Sequence, residues 1–92
     1  MIARILGEGQ LELPAERLDE LNKLDEALAA AMEAGEESAF IIALDSLLEA
    51  ARRYGTAVPD DSLVPSDLVL PAADSSLAQV RALLGDEGLI PG

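Results

Sequence analysis

Met1-Ile2-Ala3-Arg4-Ile5-Leu6-Gly7-Glu8-Gly9-Gln10-Leu11-Glu12-Leu13-Pro14 decides how this chain begins to fold. Two apolar-rich segments, 1–6 and 10–13, flank Gly7-Glu8-Gly9, and a three-residue connection containing glycine suits a β-hairpin. Pairing about Glu8 sets Arg4 opposite Glu12. Because side chains alternate along a strand, Ala3, Ile5, Leu11 and Leu13 then share one face, and Ile2, Arg4, Leu6, Gln10 and Glu12 share the other. The first set is the expected core face. A lone two-stranded hairpin is marginal in water, so it needs another layer and another strand. Leu68-Val69-Leu70 is expected to supply that strand. The alternative is a second copy of the chain pairing along a dimer edge formed by Ile2, Arg4 and Leu6.

From Pro14 the apolar period changes. Leu18, Leu21, Leu24, Leu28 and Met32 follow a spacing of three and four, which predicts an amphipathic helix. Pro14 suits its first position, where the missing N–H would lack a partner anyway, and Glu16, Asp19 and Glu20 favour the positive end of the helix dipole. Gly35 is the expected stop. A short connection leads to a second helix over residues 39–54, with Phe40, Leu44, Leu47, Leu48 and Ala51 on its apolar face and Ile41 widening it. Arg52 and Arg53 fit its C-terminal end, and Gly55 follows as a stop. So short a link predicts an antiparallel helical hairpin.

Residues 56–61 read as a polar loop around Pro59. Asp74-Ser75-Ser76 offers capping oxygens to a third, short helix bearing Leu77, Val80, Leu83 and Leu84, with Gly85 ending it. Leu89-Ile90-Pro91 is expected to dock on the core. The predicted fold is α+β: an N-terminal β-hairpin, extended by a third strand near 67–70, packed on the helical hairpin with a short C-terminal helix behind. Residues 1–92 form one domain. Leu21, Leu24, Leu28, Phe40, Leu44, Leu48 and Val80 are its predicted core.

Composition narrows the function. The chain has no cysteine and no histidine, which removes thiolate chemistry, zinc-thiolate sites and the commonest general base. Phe40 and Tyr54 are the only aromatic residues, too few to wall a deep carboxylate-bearing cleft. Asp60-Asp61 and Asp86-Glu87 could offer oxygen to a hard cation. Neither pair stands in a twelve-residue calcium loop, and adjacent side chains usually point apart. The expectation is a protein that is not an enzyme and has no cofactor, no metal and no catalytic residues. Gly7-Glu8-Gly9 precedes a strand, not a helix that could cradle phosphate, so it reads as a turn.

Eighteen acidic residues against six basic ones give a net charge of −12. Such a charge repels nucleic acid and anionic lipid alike and favours a basic partner. No apolar run approaches the roughly 20 residues of a membrane-spanning helix, and no cleavable leader is apparent. A soluble cytoplasmic protein, without nucleic acid or direct membrane insertion, is expected.

The end of the chain carries a further signal. Leu63-Val64-Pro65-Ser66-Asp67-Leu68-Val69-Leu70-Pro71 and Gly85-Asp86-Glu87-Gly88-Leu89-Ile90-Pro91-Gly92 are uncharged or proline-punctuated by the standard of so acidic a chain. Proline fixes φ and biases the preceding residue toward extended geometry, so Val64, Leu70 and Ile90 read as parts of a fixed backbone path. With residues 1–10 and Leu21-Asn22-Lys23-Leu24-Asp25, these segments, in order and spacing, resemble the phage shock protein A-associated domain across nearly the whole chain. The resemblance implies an accessory domain of bacterial and archaeal envelope-stress systems, often encoded beside the coiled-coil phage shock protein A. It carries over no catalytic residues. It implies a partner, a phage shock protein A-like coiled coil with an amphipathic membrane-binding helix, and a peripheral membrane location through that partner. On this reading Glu16, Asp19, Glu20 and Glu26 of the first helix are the candidate partner-binding residues. The alternative is a self-associating structural module, a homodimer through the hairpin edge.

Overall fold

The computed structural model describes residues 1–59, 61 and 64–83. Strand β1 (Ile2–Ile5) turns into β2 (Gly9–Glu12), and a 3₁₀ turn (Ala15–Arg17) opens the helical part. Helix α1 (Leu18–Ala34) and helix α2 (Glu37–Tyr54) form an antiparallel hairpin. Strand β3 (Thr56–Ala57), strand β4 (Leu68–Leu70) and helix α3 (Leu77–Leu83) follow. The sheet order is β3-β2-β1-β4, antiparallel except for the parallel β1/β4 pair. The fold is α+β, a sheet layer against a helix layer.

The hairpin register differs from the expected one. Arg4 stands opposite Gln10, and Glu12 opposite Ile2. The cause is the turn, in which the Glu8 N–H donates to the Ile5 carbonyl at 2.9 Å, with Gly7 at φ 86°. That left-handed value suits glycine and places Leu6, Gly7 and Glu8 in the connection, with Gly9 (φ 111°) already in β2. The slip is two residues, an even number, so each side chain keeps its face.

The inner face buries Ala3, Ile5, Leu13, Leu68 and Leu70 against Leu21, Leu28, Phe40, Leu44, Leu48 and Val80 of the helices. Of the predicted core, Leu24 alone sits at the margin, half-buried. Ile41 does not widen the core face; it is 56% exposed. Pro14 is extended (φ −71°, ψ 142°) and precedes the 3₁₀ turn instead of opening α1. Leu13 continues the sheet, its N–H bonded to the Met1 carbonyl at 2.8 Å, so helical geometry cannot begin sooner. Gly35 ends α1 in the left-handed region (φ 69°), its N–H donating to the carbonyls of Ala31 and Met32.

Strand β4 is held by side chains as well as by its ladder. The Ile2 N–H donates to Asp67 Oδ2 at 2.7 Å, and the Asp67 N–H donates back to the Ile2 carbonyl. Gln10 Nε2 donates to the Val64 carbonyl and to Ser66 Oγ, each at 2.9 Å. The proline-punctuated 64–71 segment is thus a strap fastened across the hairpin. Residues 56–57, expected as loop, form β3 beside β2, and the Val58 N–H extends the pairing to the Gln10 carbonyl at 3.0 Å. Helix α3 starts with a reciprocal cap: the Gln79 N–H donates to Ser76 Oγ, and the Ser76 N–H donates to Gln79 Oε1. The predicted tail docking, Leu84 and the Gly85 stop lie outside the described residues.

Candidate interaction surface

Helix α1 turns Leu21, Leu28 and Met32 to the core, which leaves Asp19, Glu26 and Glu33, spaced by seven, along its opposite face. Glu16 lies one turn earlier in the 3₁₀ segment and is exposed. Among the described residues, Glu16, Asp19 and Glu26 have neither an ion pair nor a hydrogen-bond partner for their carboxylates. Their charge is available to a visitor.

Glu20 is different. Tyr54 Oη donates to Glu20 Oε2 at 2.7 Å, Arg17 Nη1 donates to Glu20 Oε1 at 3.3 Å, and the Arg17 guanidinium lies 4.6 Å from the centroid of the Tyr54 ring. The tyrosine hydrogen bond, followed by the arginine charge, lowers the Glu20 carboxyl below its ordinary range. The same bond raises the Tyr54 phenol. Of the four predicted contact residues, three are free and Glu20 ties the start of α1 to the end of α2.

A second polar bridge joins the layers. Arg52 near the end of α2 meets Glu8 in the hairpin turn through two hydrogen bonds, Nε to Oε1 at 2.8 Å and Nη2 to Oε2. Hydrogen bonding to Arg52 lowers the Glu8 carboxyl, and Glu8 raises Arg52. These groups border a hollow of about 170 Å³ lined also by Ile5, Gln10, Leu11 and Val58. Its one charged pair is bonded to itself.

Ile2 and Arg4 stand on the outer face of the sheet, and Leu6 follows them in the turn. They do not form an edge, because β1 pairs with β2 on one side and β4 on the other. Leu6 is 40% exposed and Val69, opposite Arg4, is 39% exposed, so the outer face is mixed, with aliphatic side chains beside Arg4, Gln10 and Glu12.

Two features escaped the sequence reading. Asp25 is the buried ionisable side chain among the described residues, on the core side of α1, where the helical period alone would have placed a leucine. Ile41 and Ile42 lie out in solvent on α2, at 56% and 67% exposure. The adjacent isoleucines were a visible signal, since a helix cannot turn two successive side chains to the same side.

No group of three or more acidic side chains that could hold a metal ion occurs among the described residues, and Asp60, Asp86 and Glu87 fall outside them. No helix of the described residues is long and apolar enough to cross a membrane.

No curated protein matches the chain in a sequence search. No solved structure matches it either. A family model described as PspA-Associated protein matches residues 1–92, the whole length. The chain therefore belongs to the PspA-associated protein family.

Proposed function

We propose that this protein is a non-catalytic interaction module that binds a phage shock protein A-like coiled coil and modulates its assembly in an envelope-stress response. The observation that carries the reading is the row of unpaired carboxylates on the outer side of the helical hairpin, Glu16, Asp19 and Glu26, in a chain of net charge −12. Family membership supports the class of partner. A rigid acidic helix face suits a basic helical surface, and the long-range field accelerates encounter with it. The module works in the cytoplasm and reaches the membrane only through its partner.

The test is light scattering on a sizing column, for the protein alone and mixed with the coiled-coil homologue of the same organism, at low and moderate salt. A co-eluting complex that weakens with salt is expected, and charge reversal at Glu16, Asp19 and Glu26 should abolish it. Glu20 is left unchanged because reversing it would also break the Tyr54 contact. Absence of a complex at micromolar concentrations would refute the proposal. The exposed Leu6 and Val69 on the outer side of the sheet favour one other reading, self-association face to face, and the same column run on the protein alone reports it as a doubled mass.

A further inference from the structure

We infer that the outward side of α2 bearing Ile41 and Ile42 is the apolar seat on which a cationic amphipathic helix of a partner protein docks. The inference deepens the proposed function and rests on it for the identity of the partner.

The α2 core face is fixed by Phe40, Leu44, Leu47, Leu48 and Ala51, all buried. At 100° per residue, Ile42 falls almost opposite the centre of that face, and Ile41 on the flank of the helix. They are 67% and 56% exposed. A β-branched side chain at the solvent pole of a helix contributes nothing to helix propensity and keeps apolar surface in water. One such residue would be ordinary. Two in succession spread the apolar surface across nearly a third of the circumference, the width an anchoring site needs.

The surrounding charge selects the occupant. Asp45 lies four residues from Ile41 and three from Ile42, so it touches the space between them, while Glu49 lies one turn further along and Glu37 one turn before. All three are exposed. Asp45 and Glu49 act on Arg52 through space, but their carboxylates form no ion pair among the described residues. An apolar pair within a carboxylate rim fits a helix that offers leucine-like anchors at i, i+3, i+4 and i+7, with lysine or arginine beside them. A second copy of this chain meeting the same face would set Glu37, Asp45 and Glu49 against their own counterparts, like charge against like.

The antiparallel packing brings the α1 carboxylates alongside. The Gly35 turn at one end and the Tyr54–Glu20 bond at the other set Ile42 about level with Ala30, between Glu26 and Glu33. A visiting helix seated on Ile42 would therefore run between two acidic rims.

The test uses fluorescence anisotropy with a labelled synthetic peptide of leucine and lysine in that amphipathic order, and a control of identical composition in scrambled order. Wild type is compared with Ile41→Ser, Ile42→Ser and the double variant, whose folds are checked by circular dichroism. Burying half or more of one isoleucine is worth about tenfold in affinity, so each single variant should bind about tenfold and the double variant about a hundredfold more weakly. The scrambled peptide should bind no better than the double variant. Equal binding by wild type and double variant, or equal binding of the two peptides, overturns the inference. So does a wild-type dimer that the isoleucine variants convert to monomer, which would make a second copy the occupant. The coiled-coil homologue separates this inference from the functional proposal. If it binds wild type and double variant alike, the isoleucine seat is refuted and the proposal stands. If it fails to bind wild type while the peptide shows the predicted losses, the proposal falls and the seat stands.

Discussion

Replacing Gly55 with alanine should be among the most damaging single-methyl changes in this fold. Gly55 follows α2 with φ −83° and ψ 153°, a conformation open to any residue, so left-handed geometry is not why glycine stands there. The reason is proximity. A Cβ on Gly55 would lie 2.7 Å from the Ala51 carbonyl oxygen and 2.9 Å from Leu11 Cβ. Carbon atoms pack comfortably at about 3.5–4.0 Å, so both contacts are deep in the repulsive range. Neither neighbour can step aside easily. The Ala51 carbonyl accepts the Gly55 N–H at 2.8 Å, and Leu11 is paired with Ala3 on one side and Ala57 on the other. Relief requires moving the end of α2 away from β2, and with it β3. Overpacking of this kind costs about 1–3 kcal/mol, and the loss of unfolded-state freedom on Gly→Ala returns only about 0.4–1 kcal/mol. For a domain of this size, whose total stability is about 5–14 kcal/mol, the resulting net loss of about 1.3 kcal/mol lowers the melting temperature by roughly 5–10 °C.

Urea unfolding followed by helical circular dichroism measures the loss, and Gly7→Ala is the instructive comparison. At Gly7 nothing lies within 4 Å of the added carbon, so the whole cost is the backbone penalty at φ 86°, about 1–2 kcal/mol. Amide exchange then tells the two variants apart: Gly55→Ala should expose the Thr56 and Val58 region, and Gly7→Ala the hairpin turn. A Gly55→Ala protein within about 0.5 kcal/mol of wild type, with β3 still protected, would refute the close approach.

Other consequences can be measured on the same protein. Tyr54 is the only tyrosine and there is no tryptophan, so phenolate absorbance reports it alone; its midpoint should lie above the ordinary phenol value and drop toward it in Glu20→Gln. The Glu8 carboxyl is lowered by Arg52, so its contribution is fully present above the unfolded carboxyl pKa and is lost as pH falls through the lower folded value. Because both side chains are about two-fifths exposed, Glu8→Gln should cost only about 0.2–1 kcal/mol at pH 7, and the difference from wild type should vanish in strong acid. Asp67→Ala removes the carboxylate that accepts the Ile2 N–H and should cost about 1 kcal/mol, with faster exchange at that amide as the diagnostic.

Much of this architecture was legible because the chain changes period where it changes structure. Alternation ends at Leu13, the three-and-four spacing begins at Leu18, and Gly35 closes the first helix as its position suggested. The 68–70 strand was readable because prolines bracket a short apolar run, though the bonds from Gln10 and Asp67 that fasten it span more than fifty residues and leave no local trace. The hairpin register was misplaced because its turn is closed by the Ile5 carbonyl and Gly7, a choice that the two glycines at 7 and 9 leave open. Strand β3 went unseen because Thr-Ala has no pattern of its own; it is positioned by the tight Gly55 contact. At the candidate surface, the acidic residues were visible but their pairing was not. Only the packing of α2 against α1 brings Tyr54 to Glu20 and withdraws that carboxylate from the free set.

The disposition of the positive charges bears on why the free set has the effect proposed for it. There are six basic residues, and the fold consumes half of them internally: Arg17 on Glu20 and Tyr54, Arg52 on Glu8, and Arg81 Nη2 on the Met32 carbonyl at the end of α1 at 3.0 Å. Each joins two elements. Arg81 in particular meets the negative end of the α1 dipole and fastens α3 there, a structural use of charge that neutralises no carboxylate. Arg4 is on the far face of the sheet from the helices. That leaves Lys23 and Arg53 in the helix layer, both exposed, against the exposed carboxylates of Glu16, Asp19, Glu26, Glu33, Glu36, Glu37, Asp45 and Glu49, so the helix side of a small body 39 × 25 × 22 Å in extent keeps an acidic excess. At physiological ionic strength screening acts over about 8 Å, shorter than any of these dimensions. A partner therefore feels the face it approaches and not the net charge of the whole. On the proposed reading the helix side draws in a cationic helix, while the outer sheet face, where Arg4 and Glu12 stand on the same side, offers no such one-signed field. That sidedness is what the charge-reversal and isoleucine variants measure from two independent directions.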